Sequence, residues 1–298
     1  MKNKKYRYIL LLLLRFGILL VRPLPRIWAI QLGCIVGNLA GRILIKEKKR
    51  LIQNLDFAYG NTLDLISKNK IAQGVFENYG RNSLEWIVQD KEVKKNWKTF
   101  VEIQGIDFLN QALGKGHGAI MTTGHFGNWE LLAAVIMSGS YTGAVVAQRI
   151  YFEPFNQILI KLRQKSKVET VYRDDSPKKL IRLLKDNGII GVLPDQDVDS
   201  LSGVFVKFFG HETYTPSGPA VLARLTGAPL IPCFMIRDGY KHKLFIENPI
   251  YVRENGEEHD ICDAMQIWSS ILERYIRLYP EQWVWTHRRW KTRPLKST

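Results

Sequence analysis

Residues 118–137 read GAIMTTGHFGNWELLAAVIM and contain the clearest strand–turn–helix pattern of the chain. It opens with a short apolar run from Gly118 to Thr123, which is typical of a buried strand. It closes with an apolar segment, Trp129 to Met137, which predicts a helix. Between the two, Gly124 and Gly127 permit a sharp turn. A strand followed by a turn and a helix is the repeating unit of an α/β sheet.

The same alternation continues toward the C-terminus. Further strands are predicted at Gly143–Ala147, Ile189–Leu193, Pro229–Phe234 and Lys243–Ile246. Helices are predicted to start at Ser176-Pro177 and Thr215-Pro216, because Ser and Thr cap helices and Pro suits the first helical position. The pattern therefore predicts an α/β fold with a mostly parallel central sheet flanked by helices. Ligands of such a sheet bind at the carboxyl ends of its strands.

The chain before this region has a helical pattern. Gly33, Gly37 and Gly41 are four residues apart in an apolar segment, so one helix face can pack closely against another helix or against lipid. From Leu51 to about Trp97 the pattern stays helical without a strong break. We therefore predict a single domain over residues 27–298, helical over 27–97 and α/β from about residue 100.

Residues 1–26 differ from this domain in charge and hydropathy. Residues 1–50 hold twelve Lys and Arg against one Glu, the last twelve residues add +5, and the 236 residues between them sum to about −1. A nucleic-acid-binding domain would carry its basic excess on the folded body, so we exclude nucleic acid as a partner. The basic termini favour an anionic membrane surface instead.

The apolar run Ile9–Val21 lies within the basic N-terminal segment. It is shorter than the roughly 20 residues that a membrane span needs, and no small-residue cleavage site follows it. We therefore interpret residues 1–26 as a basic, hydrophobic membrane anchor at the cytoplasmic face of a membrane. The alternative is an N-terminal helix that packs on its own domain.

The overall composition is that of a globular protein. The chain has 298 residues, of which 46% are hydrophobic and 24% charged. Its three cysteines, Cys34, Cys233 and Cys262, lack metal-ligand spacing and form no disulfide framework. The sequence predicts no metal site and agrees with a reducing compartment.

The predicted turn after the first strand carries the strongest candidate for chemistry. His125 and Glu130 are five residues apart, and on one regular helix they would point about 140° apart, so they meet only if His125 lies in the turn. A carboxylate bonded to one ring nitrogen fixes the tautomer and makes the other nitrogen a general base. The alternative is a histidine that merely caps the helix.

The spacing His125-x4-Glu130 resembles the signature of the glycerolipid acyltransferase superfamily. The form HFGNWE is similar to its branch of lipid A late acyltransferases. Three further blocks agree with that branch, and they are Gln148-Arg149, Pro194–Asp197 together with Gly203–Gly210, and Pro280–Pro294. The resemblance covers residues from about 27 to 294.

This resemblance implies a direct transfer in which an acceptor hydroxyl attacks an acyl thioester on acyl carrier protein. His125 would be the general base and Glu130 its orienting carboxylate, with no cofactor. Backbone N–H groups near Gly124 or Gly127 would stabilise the oxyanion. The basic cluster Arg288, Arg289, Lys291 and Arg293 would dock the acidic donor protein.

Four further residues are predicted to bind substrate. Arg149 and Arg163 follow the second strand and would bind a phosphate or carboxylate, since guanidinium pairs with such groups bidentately. Asp195 and Gln196 lie at the carboxyl end of the Ile189–Leu193 strand, where polar groups commonly line a site.

The resemblance implies a lipid A precursor, a glycolipid, as acceptor and the cytoplasmic face of the inner membrane as the location. A glycerol-phosphate acceptor is disfavoured, because Asp195-Gln196-Asp197 stands where such enzymes carry a Glu-Gly pair. Two alternatives remain open at this point. One is transfer to another glycolipid or a lysophospholipid from acyl-CoA or acyl carrier protein, and the other is a membrane-bound binding protein without activity.

Overall fold

The computed structural model describes residues 4–175, 177–253 and 257–294. The described residues form one seven-stranded sheet of order β1-β9-β8-β2-β5-β3-β4 and a separate hairpin of β6 and β7. The strands are β1 Val101–Gln104, β2 Ala119–Thr122, β3 Gly143–Ala147, β4 Glu169–Tyr172, β5 Ile189–Val192, β6 Gly203–Phe208, β7 His211–Pro216, β8 Leu230–Asp238 and β9 Lys241–Ile246. Neighbouring strands of the large sheet are parallel except for β8 and β9. The predicted α/β fold is confirmed.

Helices cover both faces of this sheet. They are α1 Lys4–Val21, α2 Arg26–Ile43, α3 Ile45–Tyr59, α4 Leu65–Asn96, α5 Ile106–Leu113, α6 Trp129–Met137, α7 Glu153–Lys165, α8 Lys178–Lys185, α9 Gly218–Thr226 and α10 Glu258–Leu278. Side chains alternate across the strands, so Ile120 belongs to the core that contains Trp268 of α10. Its neighbour Met121 belongs to the core that contains Leu131 of α6. The strands are apolar on both faces because both are covered.

The glycine face of α2 packs on a helix. A methyl group at Gly33 would come within 2.5 Å of the carbonyl oxygen of Gly80, and one at Gly37 would overlap the carbonyl oxygen of Phe76. Both contacts are with the backbone of α4, so the two helix axes approach closely. Of the two partners that the glycine spacing allows, the structure shows the helix.

The N-terminal helix α1 lies against the domain along one side. Leu11 and Val21 are buried, and Arg22, just after the helix, pairs with Asp90 of α4. No single described helix is long and apolar enough to cross a membrane. Helix α2 and residues 45–62 together are long and apolar enough to cross a membrane, but the chain bends by 88° between them.

Two local predictions differ from the structure, and a third falls partly outside the described residues. The helical region after Leu51 is broken, because α3 ends before Gly60, which has a φ of 55°, and Asp64 caps the start of α4. Thr215-Pro216 ends strand β7 instead of opening a helix, and α9 starts at Gly218. Ser176, the predicted cap of α8, lies outside the described residues, and the helix begins at Lys178.

Candidate active site

The candidate site lies at the carboxyl end of β2, where the turn between Thr122 and Trp129 carries His125. Gly127 has a φ of 57°, and a Cβ there would overlap the carbonyl oxygen of Met235. Its N–H donates to the carbonyl oxygen of Gln282 at 2.8 Å. Asn128 caps α6 by accepting a hydrogen bond from the N–H of Leu131 at 3.0 Å. The turn is therefore held from both sides.

The ring of His125 is bonded to Asp195, which follows β5. Its Nδ1 lies 2.8 Å from Asp195 Oδ1, and its backbone N–H donates to Asp195 Oδ2 at 2.7 Å. The indole N–H of Trp283 donates to the same Oδ2 at 3.0 Å. An ionised carboxylate only accepts, so Nδ1 carries a proton, and in the neutral form of the ring the lone pair is on Nε2.

These donors also explain the ionisation of Asp195. The carboxylate is buried, and burial by itself raises its pKa. The charge and ring N–H of His125, the Trp283 indole and the His125 backbone N–H act in the opposite direction, and together they hold the pKa of Asp195 at about 2. Asp195 is therefore ionised at neutral pH.

The predicted pairing of Glu130 with His125 is wrong. Glu130 lies in the first turn of α6, and its two oxygens accept from Arg163 Nε at 3.0 Å and Nη2 at 2.6 Å. Burial lowers the pKa of Arg163, but the Glu130 carboxylate raises it and prevails. The turn directs His125 toward β5 while α6 directs Glu130 toward α7, so the ring takes the nearer carboxylate, Asp195.

The other predicted substrate-binding residues fall into two groups. Both oxygens of Asp195 are engaged by His125 and Trp283, and Arg163 is engaged by Glu130. Arg149 lies apart from them, half-exposed, with its guanidinium 3.8 Å from the centroid of the Tyr172 ring. Its Nε lies 3.9 Å from Asp174 Oδ2, and its Nη2 lies 3.6 Å from Asp175 Oδ1.

Gln196 lies between two histidines. Its Nε2 is 3.1 Å from Nε2 of His125 and 2.9 Å from Nε2 of His287. His287 belongs to the segment from Trp283 to Trp290, which we call the C-terminal strap. The N–H of Val284 in this strap donates to the carbonyl oxygen of His125 at 3.0 Å.

Trp283 and His287 are site residues that the sequence patterns do not predict. Both lie in the block Pro280–Pro294 that carries part of the family resemblance, which was the available signal. Spacing does not reveal them, because more than 150 residues separate them from His125. Among the described residues, no group of three or more His, Cys, Asp or Glu side chains is arranged to hold a metal ion.

The chain thus has a mostly parallel α/β sheet with a hydrogen-bonded His–Asp pair at the carboxyl ends of its strands, the edge at which ligands of such sheets bind. The model of the bacterial lipid A biosynthesis acyltransferases matches residues 2–292, and the chain belongs to this family. It is therefore an acyltransferase.

Curated relatives agree with this assignment. The chain is 28% identical to the lipid A biosynthesis lauroyltransferase of Escherichia coli (strain K12) over 291 residues, which are 94% of this chain and 91% of the relative. It is also 28% identical to the palmitoleoyltransferase of the same strain, over 89% of this chain and 85% of the relative. The phosphatidylinositol mannoside acyltransferase of Mycolicibacterium smegmatis is 28% identical over 64% of this chain and 62% of the relative.

Proposed function

We propose that this protein transfers a fatty acyl chain from an acyl carrier protein thioester to a hydroxyl of a lipid A precursor, with His125 as the general base. The observation that carries the mechanism is the His125–Asp195 bond of 2.8 Å. It leaves Nε2 unprotonated at the carboxyl edge of the sheet, and the side chain of His125 is a quarter exposed. A substrate hydroxyl can therefore reach this nitrogen.

The transfer proceeds without an acyl-enzyme. Nε2 of His125 takes the proton from the acceptor hydroxyl while the oxygen attacks the thioester carbonyl carbon. The tetrahedral intermediate then expels the thiolate, which receives the proton from the imidazolium, so that an ester and a free thiol result. Asp195 stabilises the imidazolium without taking a proton itself. The N–H of Gly127 is bonded to Gln282, so it is not the oxyanion donor.

Glu130 acts through Arg163 in this proposal. The ion pair ties the first turn of α6 to α7, and both side chains are largely buried. Trp129, the residue before Glu130, has its ring centroid 5.2 Å from that of His125. The Glu130–Arg163 pair therefore positions the turn that carries the base. In place of the His–Glu dyad that the sequence predicts, the site has a His–Asp pair supported by a Glu–Arg pair.

The N-terminal helices support association with a membrane. Large apolar side chains of α1 and α2 face solvent instead of the domain. They include Ile9, Leu12, Leu13, Phe16, Leu19 and Leu20 of α1, and Ile27, Trp28, Ile35, Val36, Leu39 and Ile43 of α2. Exposed apolar side chains flanked by Lys and Arg suit an interfacial helix on anionic lipid. We therefore extend the proposed anchor from residues 1–26 to α2 and keep the cytoplasmic face of the inner membrane as its location.

The donor protein docks, in this proposal, on a surface other than the predicted C-terminal basic cluster. Arg289 of the predicted C-terminal cluster is fully buried and donates to the carbonyl oxygen of Tyr214 and the hydroxyl of Thr215, both at 2.6 Å. Within the described residues, seven exposed lysines lie near the ends of α4 and α7, where Asp90 is an acidic neighbour of Lys94 and Lys165. They are Lys91, Lys94, Lys95, Lys98, Lys161, Lys165 and Lys167. This surface complements a small acidic protein better than the C-terminal cluster does.

A mannolipid acceptor is the second candidate, because relatives named phosphatidylinositol mannoside acyltransferases match up to 64% of the chain. The test is acyl transfer by full-length protein in mixed micelles, with acyl carrier protein and CoA thioesters as donors and a lipid A precursor and a mannolipid as acceptors. We expect transfer to the lipid A precursor, and a loss of about 10²- to 10⁴-fold in His125→Ala. Transfer to the mannolipid alone would reject the proposed acceptor, and near-normal turnover by His125→Ala would reject the mechanism.

A further inference from the structure

His287 stands inside the site without a role in the mechanism above. Its ring centroid lies 5.6 Å from that of His125, with the planes tilted by 50°. Its Nε2 and the side-chain nitrogen of Gln196 are 2.9 Å apart, which is the shortest contact of that amide in the site. A second imidazole at this distance is close enough to influence the protonation of the base.

The position of His287 is fixed by the helices behind the strap. The side chain of Asn54 on α3 donates to the carbonyl oxygens of Trp285 and His287, both at 2.6 Å. The hydroxyl of Thr286 in the strap lies 3.3 Å from the hydroxyl of Tyr79 on α4. The backbone on both sides of the His287 ring is therefore held, and its contact with Gln196 is part of the fold.

Gln196 connects the two rings in different ways. Its Nε2 is 3.1 Å from Nε2 and 3.2 Å from Nδ1 of His125, and such equal distances place it over the face of that ring. The in-plane lone pair of His125 Nε2 thus stays open to a substrate. With His287 the contact is to a single nitrogen, and an amide N–H donates to that nitrogen only when it is unprotonated.

The charged groups around His287 come from three other elements. Burial lowers the pKa of His287, the charge of His125 and that of Arg50 on α3 lower it as well, and Asp195 acts in the opposite direction. The neutral hydroxyl of Tyr79 meets the strap through Thr286, and the charged Arg289 of the strap turns away to bond Tyr214 and Thr215. The surroundings as a whole favour neutral His287.

We propose that His287 is a positioning residue whose neutral form anchors Gln196 against the ring of His125. Protonation of His287 removes the acceptor of the Gln196 N–H and places a second positive charge beside the imidazolium that His125 becomes during transfer. Activity then falls when either histidine is protonated. This inference rests on the proposed function of His125 as the base, but the coupling of the two rings exists without turnover.

The first test measures coupling directly. Full-length protein in detergent micelles, labelled with ¹³C at histidine Cε1, is titrated by nuclear magnetic resonance. We expect the signals of His125 and His287 each to show two inflections in the wild type, since each ring senses the charge of the other. In His287→Gln the His125 signal should show one. A single inflection for His125 that is identical in both proteins would overturn the proposal, and the wild-type curve alone decides if the variant does not fold.

The second test uses turnover. His287→Gln keeps an acceptor for Gln196 and cannot be protonated, so its kcat at neutral pH should be near wild type and its acid limb should show one ionisation instead of two. His287→Ala should lower kcat about tenfold with little change in KM, as expected for the loss of one positioning hydrogen bond. The control is His117→Gln, because His117 is exposed just before β2, at the opposite edge of the sheet. Equal kcat values for the Gln and Ala variants, or an unchanged acid limb in His287→Gln, would contradict the proposal.

Discussion

The proposed catalytic edge, which is the edge of the sheet at the carboxyl ends of β2 and β5, and the N-terminal helices depart from ordinary burial in opposite ways. At the catalytic edge, the buried carboxylate of Asp195 is bonded by one backbone and two side-chain N–H groups. On α1 and α2, apolar side chains such as Leu19 and Trp28 are more than half exposed. The first region pairs its buried carboxylate within the chain, whereas the second leaves its apolar groups exposed. The fold completes the first region by itself, whereas the exposed apolar side chains of the second are what support the proposed contact with a membrane.

The largest expected effect comes from breaking the pairing at the catalytic edge. Asp195→Ala removes the partner that fixes the tautomer of His125, and it leaves the Trp283 indole N–H without an acceptor. We expect kcat to fall by about 10²- to 10⁴-fold. The measurement is acyl transfer with saturating acceptor. The control is Asp199→Ala, because Asp199 is an exposed acid that pairs with Lys291 at 3.1 Å. Comparable losses in the two variants would argue against a specific role of Asp195.

The low pKa of Asp195 makes the folding stability depend on pH in acid. Its pKa of about 2 lies below the roughly 3.9 of an unfolded aspartate, so the pair stabilises the fold above pH 4 and the stabilisation is lost as the pH falls toward 2. We expect Asp195→Asn to lower the stability at pH 7 and to flatten its dependence on pH below 4. Denaturant unfolding between pH 2 and pH 7 measures this, and parallel curves for wild type and variant would refute it.

The next effect concerns the Glu130–Arg163 ion pair. Removing one partner leaves the other charge largely buried, so Glu130→Gln and Arg163→Met should each cost about 3 kcal/mol of folding free energy. Replacing both residues should cost less than the sum of the single changes. Chemical denaturation of the wild type, the two single variants and the double variant measures this coupling as a double-mutant cycle. Additive losses would show that the pair does not couple α6 to α7.

A smaller effect is expected where α2 meets α4. Gly37→Ala pushes a methyl group into the carbonyl of Phe76, and we expect a loss of about 1 to 3 kcal/mol in stability. Gly17→Ala is the matched control, since nothing lies within 4 Å of a Cβ there and alanine favours a helix. Thermal unfolding in detergent compares the two. Equal melting temperatures would mean that the glycine face of α2 is not tightly packed.

The smallest effect is expected on the exposed apolar face of α2. Changing Trp28, Ile35 and Leu39 to Ser should weaken binding to anionic vesicles by about tenfold or more, because three apolar side chains no longer enter the interface. Flotation with phosphatidylglycerol vesicles at low and high salt measures it. Serine at the exposed Leu225, Ile267 and Leu278 of α9 and α10 provides the control. If both triple variants float like wild type, the membrane contact lies elsewhere.

Local sequence determined much of the architecture. β3 and α6 were predicted at their observed bounds, Gly143–Ala147 and Trp129–Met137, because apolar runs and flanking polar residues mark short buried elements. The spacing of Gly33 and Gly37 predicted a close approach, and His125 was placed in a turn by the glycines around it. Each of these predictions depends on neighbours within a few residues. The β6–β7 hairpin was missed, because Pro216 resembles a helix start and its position at the end of a strand depends on pairing with Gly203.

Only the tertiary structure decided which groups complete the site. His125 and Glu130 are close in sequence, yet their side chains diverge, and the ring bonds Asp195 from 70 residues away. Trp283 and His287 reach the site because the C-terminal strap crosses the edge of the sheet. Parallel strands are joined by long crossovers, so the residues that meet at their carboxyl ends come from distant parts of the chain. Sequence patterns report the local periodicity of each element, whereas the choice of carboxylate for His125 depends on the order of β2 and β5 in the sheet.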